Sequence, residues 1–451
     1  MRRLLEVSRC RSRNADATIP AALQSDGFMN IPACRAGEDR FLRAEAFLWS
    51  LLAALLPPLL LFVNRGTVVP LVILALLGLA GRFVMGRFDI SMGRGLAAGL
   101  VLMLGWGAAS ALWEETSGLA VPKAAQLAGL IVAGLLAQSS ARHLSDRSVR
   151  RVLGILLGSI LAGTAMVVFE WQAGCPISRA VFILRHGSAV GVTVHHYKTA
   201  LTLFAVLLPL TQLAEPGKWR RLGLMAAVVL LVVAAKATNS NSTLVGLLMG
   251  GSAFAILRLA PRLGRIVLAA AFAGLIMLMP AIVSHLPQPK EAVQAFHALP
   301  NSGVHRLLIW HFTNDHVAER PWRGWGLDGA RELPGGNGAG IIYQYDAEHD
   351  RLLSYPQQLL PLHPHNGPLQ IWLEIGGIGA ALVAACLVGL MWSAIRSVEP
   401  TVGALRGAAM TTALSVSLVS FGVWQSWWLA VLLIACALAG MPLAAGGRRV
   451  P

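Results

Sequence analysis

The stretch His363–Ala380, HPHNGPLQIWLEIGGIGA, joins a dense polar cluster directly to an apolar run long enough to cross a membrane. Asn366 can cap a helix there, and Pro368 suits its first turn. Such a helix N-terminus points its positive dipole end toward any anion in the preceding loop. Gly376, Gly377 and Gly379 lie deeper and permit close helix packing. From these residues alone, the plain reading is a capped membrane helix with a histidine at the interface.

The composition agrees with a membrane setting. The chain has 451 residues, 55% hydrophobic and only 13% charged, with a mean hydropathy of +0.62. Soluble domains carry about 25% charged residues. The net charge of +15 fits lysines and arginines that hold loops on the cytoplasmic side. No basic stretch interleaved with aromatics argues for nucleic acid. The five cysteines, Cys10, Cys34, Cys175, Cys386 and Cys436, show no CxxC spacing, so neither a zinc site nor a disulfide framework is indicated.

The fold class expected is an all-α polytopic membrane protein. A span needs roughly 20 mainly apolar residues, and about twelve segments qualify. They are Ala46–Val63, Val68–Met85, Gly95–Trp113, Val121–Ala141, Val152–Trp171, Thr199–Ala214, Leu222–Ala237, Thr243–Ala260, Ile266–Ser284, Pro368–Ile395, Gly403–Phe421 and Trp424–Gly440. With the N-terminus inside, about 25 of the 37 lysines and arginines fall on the cytoplasmic side, and the short basic loops decide orientation. The expected organisation is a polar cytoplasmic tail over 1–45, nine spans over 46–284, a large periplasmic loop over 285–366, three spans over 367–440 and a cytoplasmic tail over 441–451. Within the loop, Val304, Leu307, Leu308 and Phe312 form one face of a helix capped by Ser302 and ended by Pro321, expected to lie at the membrane surface. The glycine-rich stretch after it, LPGGNGAGIIYQYDAEHD, reads as irregular. Trp424, Trp427 and Trp428 read as an interfacial belt.

Two patterns flank the large loop. His365-Asn366, nine further residues and Gly376-x-x-Gly379 form one, with Glu374 inside it. Arg306, Trp310 and the turn Pro321-x-x-Gly324-x-Gly326 form the other. Both resemble the signatures of the O-antigen ligase and O-antigen polymerase family. The resemblance implies a multi-pass protein of the bacterial inner membrane, working on the periplasmic face. It implies transfer of a glycan from an undecaprenyl-pyrophosphate carrier to lipid A–core, or to a growing glycan in a polymerase. It implies an inverting reaction without metal or other cofactor. Under it, Arg306 and His365 are the catalytic candidates. A guanidinium binds a leaving pyrophosphate at two points, and a neutral imidazole accepts the acceptor hydroxyl's proton. Asn366, Trp310 and Glu374 join the candidate substrate site.

Asn241 stands where the family has an arginine. Lys236, Arg185 and Lys198 are the cations available in its stead, and His195 and His196 share the loop RHGSAVGVTVHHYK with the last two. Asp346, Glu348, His349 and Asp350 have ligand chemistry for a divalent ion but read as solvated charge. Trp322, Trp325, Tyr343 and Tyr345 have rings suited to stacking on sugars. A transporter, the other class considered, places charges mid-membrane along a path. Here nearly all charges sit at span ends, which favours chemistry at a surface.

Overall fold

The computed structural model describes residues 32–443 apart from 87–89, 91, 116–117, 215–216 and 397–398. The tail expectations for 1–31 and 444–451 lie outside the described residues. Helices occupy every expected span. They begin with α1 (Pro32–Phe62), α2 (Val68–Met85), α3 (Arg94–Ala109), α4 (Ala120–Arg142), α5 (Asp146–Ala173) and α6 (Pro176–His186). There follow α7 (Lys198–Leu207), α8 (Lys218–Ala237), α9 (Asn241–Leu259), α10 (Pro261–Met277) and α11 (Met279–Ser284). The 285–366 segment holds α12 (Pro289–Ala295), α13 (Asn301–Glu319), β1 (Ala339–Asp346) and β2 (Arg351–Gln358), and α14 (Gly367–Ile395), α15 (Pro400–Ser417) and α16 (Ser426–Ala439) complete the chain.

Among the described residues, seven helical segments are long and apolar enough to cross a membrane: Gly37–Phe62, Arg65–Met85, Arg94–Leu112, Ala120–Arg142, Asp146–Ala173, Asn241–Leu259 and Gly367–Ile395. The other expected spans are shorter, more charged or less apolar. The α7 segment tightens into a 3-10 turn over Leu208–Gln212, where Pro209 cannot continue the helical ladder. Residues Ala200–Leu207 are all buried, so α7 runs through the interior, as a helix apolar on every side must.

Cross-contacts show which helix ends share a side. The Thr202 and Thr243 hydroxyls meet at 3.0 Å, and the Thr412 hydroxyl donates to the Gly246 carbonyl. A Cβ on Gly367 would sit 3.1 Å from the Ser417 carbonyl. The starts of α7, α9 and α14 and the end of α15 therefore lie together at the end that carries the 285–366 segment.

That segment is ordered, and it corrects two expectations. The stretch read as irregular forms an antiparallel hairpin, paired from Ala339↔Gln358 to Asp346↔Arg351. The run GIIYQYD is rich in β-branched and aromatic residues, which outweighs the glycines before it. Pro356 is tolerated because β2 pairs on one side only. The helix Asn301–Glu319 is held between the hairpin and α14. Its buried residues are Val304, Ile309, Thr313 and Val317, a face rotated from the expected one because it has partners on both sides.

Candidate functional site

The turn His363–Asn366 is fixed from three directions. The Asn366 Oδ1 accepts the Leu369 backbone N–H at 3.1 Å and caps α14, and its amide donates to the Met279 sulfur at 3.3 Å. The Trp310 indole N–H donates to the Pro364 carbonyl at 2.9 Å, tying the turn to α13. The His365 Nδ1–H donates to the Ser420 carbonyl at 2.8 Å, tying it to the α15–α16 link. The backbone of His365 has φ 53°, a left-handed conformation that non-glycine residues rarely adopt. With Nδ1 occupied as a donor, Nε2 carries the free lone pair.

His363 serves the turn itself. Its Nδ1 accepts the His365 backbone N–H at 3.2 Å, and its ring lies against Gly422, where a Cβ would come within 2.9 Å. Burial first, then the positive fields of His365 and Arg331, pushes its imidazole down to about 3. His365 is also lowered, by burial foremost and then by Arg306 and His305, against the opposing Ser420 hydrogen bond. Its ring is therefore neutral at pH 7. Arg306 is half-buried, and burial lowers its guanidinium. Among the described residues no carboxylate or carbonyl pairs with it. A desolvated, unpaired guanidinium beside a neutral imidazole is suited to receive an anion.

Glu374 and the glycines of α14 do different work. At Gly376 the helix breaks, with φ 64° and ψ −172°. The turn Pro321–Gly326 fills the break. The Gly377 N–H donates to the Pro321 carbonyl at 2.8 Å and the Ile378 N–H to the Trp322 carbonyl at 3.3 Å. In return the Trp325 N–H donates to the Leu373 carbonyl and the Gly326 N–H to the Glu374 carbonyl, each at 2.8 Å. The Ile375 carbonyl accepts the Trp106 indole N–H at 2.9 Å. Backbone groups released within an apolar span must be satisfied internally, and these are. The approach leaves no room for side chains: a Cβ on Gly324 would lie 2.5 Å from the Glu374 carbonyl, and one on Gly376 2.3 Å from the Trp322 oxygen.

The Glu374 side chain is fully buried. It accepts from Gln370 at 2.8 Å, from the Trp424 indole at 2.7 Å and from the Asp328 backbone N–H. Trp424 and Trp428, read as belt residues, are 7% and 1% exposed and belong to the interior. Residue spacing could not reveal these partners, because Trp424, Ser420 and Asp328 come from distant parts of the chain.

The second group of candidates stands at the same end, built on α6 to α9. The His195 Nδ1–H donates to the Thr238 carbonyl at 2.7 Å, and an Arg185 Nη donates to the Phe62 carbonyl at 2.8 Å. His196 packs on Tyr197 with ring centroids 4.0 Å apart, and its Nε2 lies 3.2 Å from the Ser178 hydroxyl. That hydroxyl also bonds buried Glu170, which caps α6. Burial foremost lowers His196. Lys198 begins α7, while Lys236 and Asn241 are exposed on either side of the α8–α9 turn. No described contact joins this group to His365 or Arg306.

Among the aromatic candidates, Trp325 is covered by Arg320 at 3.8 Å and Tyr345 is stacked on His297, while Trp322 is 72% exposed. Asp346, Glu348 and His349 cluster at the hairpin turn, where Asp346 already accepts from His349 at 2.9 Å and from Arg351 at 3.4 Å.

The fold defines a polytopic membrane protein whose candidate site brings together His365 and Arg306. Residues 226–384 match the model of the O-antigen ligase family, a span that includes Arg306, the Pro321–Gly326 turn, His365 and the kink. The chain is similar to that family over this region. Three similar proteins bear the name "putative polysaccharide ligase". The one from Rickettsia conorii is 28% identical over 255 residues, 54% of this chain and 59% of that protein. The one from Rickettsia prowazekii is 29% identical over 195 residues, 43% and 45%. The one from Rickettsia felis is 29% identical over 220 residues, 48% and 50%. The chain thus matches about half the length of these relatives.

Proposed function

We propose that this chain is a glycosyltransferase that moves a polysaccharide from undecaprenyl pyrophosphate to lipid A–core on the periplasmic face of the inner membrane. The observation that carries the reading is the pairing of an oriented, neutral His365 with an unpaired Arg306 at one end of the bundle. The acceptor hydroxyl donates to His365 Nε2. Its oxygen attacks the anomeric carbon, its proton passes to Nε2, and the bond from that carbon to the pyrophosphate oxygen breaks with inversion. The leaving pyrophosphate keeps the electron pair, and Arg306 stabilises its charge. The step requires no metal. Asn366 and Trp310 hold the turn that carries His365, and Glu374 holds the α14 kink behind it. Lys236, Lys198 and Arg185, with His195 and His196, supply the second positive patch for the diphosphate where Asn241 stands. The charge distribution along the sequence supports cytoplasmic termini.

The test is transfer by the purified chain in nanodiscs, with undecaprenyl-pyrophosphate oligosaccharide as donor. Lipid A–core, a second donor molecule and a peptide are offered separately as acceptors. Product on lipid A–core that vanishes in His365→Ala and Arg306→Ala is the expected result. Elongation of the donor alone would make the chain a polymerase. Transfer that survives His365→Ala would end the mechanism.

A further inference from the structure

A cavity of about 470 Å³ lies between the first turn of α13 and the inner face of the hairpin, within the roughly 300–1,000 Å³ range of small-molecule sites. Ile342, 3% exposed, is buried at this face, and Tyr355, 39% exposed, sits directly opposite it in the strand register. Gln357 and Gln344 extend the same face of the hairpin, since alternate residues share a side. Two hydrogen bonds fix the width. Asn301 donates to Gln344 Oε1 at 3.0 Å, and His305 donates to the Gln358 carbonyl at 2.8 Å. Among the described residues, the Tyr355 hydroxyl and the Gln357 amide have no partner.

The lining selects a chemistry. Its side chains are amides, hydroxyls, an imidazole and one exposed aromatic ring, with no lysine, arginine or carboxylate. An anion finds no countercharge there. A sugar ring carries hydroxyls that both donate and accept, which amides match, and a C–H face that an aromatic ring covers. The position is also informative. His305 lines the cavity, and its sequence neighbour Arg306 is one of the reacting pair. The fields of both reach His365.

We propose that this cavity is a saccharide subsite that seats a neutral sugar unit of the glycan beside the reacting bond, an inference that rests on the glycosyl-transfer reading. The sugar belongs to the donor or to the acceptor glycan. Its recognition is the same in either case.

The experiment uses the full chain in nanodiscs and two probes. One is the free glycan released by mild acid from the lipid-linked glycan of the cells that make the protein. The other is inorganic pyrophosphate. Calorimetry should find that the free glycan binds, that Tyr355→Ala weakens it at least tenfold, and that Tyr355→Phe binds within twofold of wild type. Pyrophosphate binding should be the same in all three. In transfer assays, Tyr355→Ala should raise KM about tenfold for one glycan substrate with kcat within twofold. Which substrate responds identifies the sugar as donor or acceptor. Gln357→Ala, at an exposed edge, gives a second reading should Tyr355→Ala fail to fold. A free glycan that does not bind, or that binds both alanine variants as it binds wild type, would overturn the subsite. Wild-type protein that binds free glycan through Tyr355 yet transfers nothing would overturn the transfer reading and leave the subsite standing.

Discussion

The turn at His363–Asn366 that leads into α14 and the kink at Gly376 within it are built in opposite ways. At the turn, His365 is oriented through one ring nitrogen, and among the described residues the other nitrogen and the neighbouring guanidinium have no hydrogen-bond partner. At the kink, the backbone groups that the break releases are met by the Pro321–Gly326 turn or by Trp106, and the Glu374 carboxylate accepts three hydrogen bonds. Unsatisfied capacity marks where a ligand can act. Complete satisfaction marks where the protein is holding itself together. Residues that look equally distinctive in the sequence therefore have different duties.

The comparison can be broken most easily at its open end. His365→Ala should lower the transfer rate roughly a hundred- to ten-thousand-fold, the range for loss of a general base, with the melting temperature little changed. Normal rates in that variant would move the base elsewhere. Arg306→Ala should lose about a hundredfold, as for removal of one group that stabilises developing charge. Arg306→Lys should recover only part of that, because a lysine lacks the two-point fork.

The closed end should answer in stability instead. Gly376→Ala places a side chain at φ 64° and 2.3 Å from a backbone oxygen, so it should destabilise the protein by about 2–4 kcal/mol, read by thermal unfolding in detergent. Glu374→Gln should cost about 1 kcal/mol, for one hydrogen bond lost from the cluster, and leave transfer within a few-fold. A rate collapse in that variant, with the fold intact, would mean that the carboxylate charge takes part in the chemistry.

The smallest effect concerns pH. Burial and the positive neighbours disfavour protonation of His365, so its neutral form persists below the ordinary value of 6.5. The acid limb of kcat should therefore lie below pH 6.5. In Arg306→Gln, with residual activity, the limb should move up toward 6.5, because one of the charges opposing protonation is gone. A limb that stays fixed would disconnect the two side chains.

Much of this site was legible in the sequence. Asn366 reads as a cap, Trp310 and Arg306 recur at helical spacing, and His365 stands at the mouth of the span. The hairpin was not legible, because a glycine-rich approach and an internal proline obscured two short runs of strand-forming residues. Tyr355 was missed with it. The buried duty of Trp424 was hidden as well, since an interfacial tryptophan and an interior one look alike in a sequence.

By itself the sequence determined the membrane setting, the helical class and the capped start of α14, while the choice of His365 and Arg306 came from the family resemblance. The setting, the class and the cap follow from composition, periodicity and local capping, which act over a few turns of chain. Only the tertiary structure decided that the glycine turn plugs a broken helix, that Glu374 is enclosed, and that a groove opens between α13 and the hairpin. Each of those depends on groups brought together from remote parts of the chain, where close packing and hydrogen-bond satisfaction in an apolar interior fix the partner.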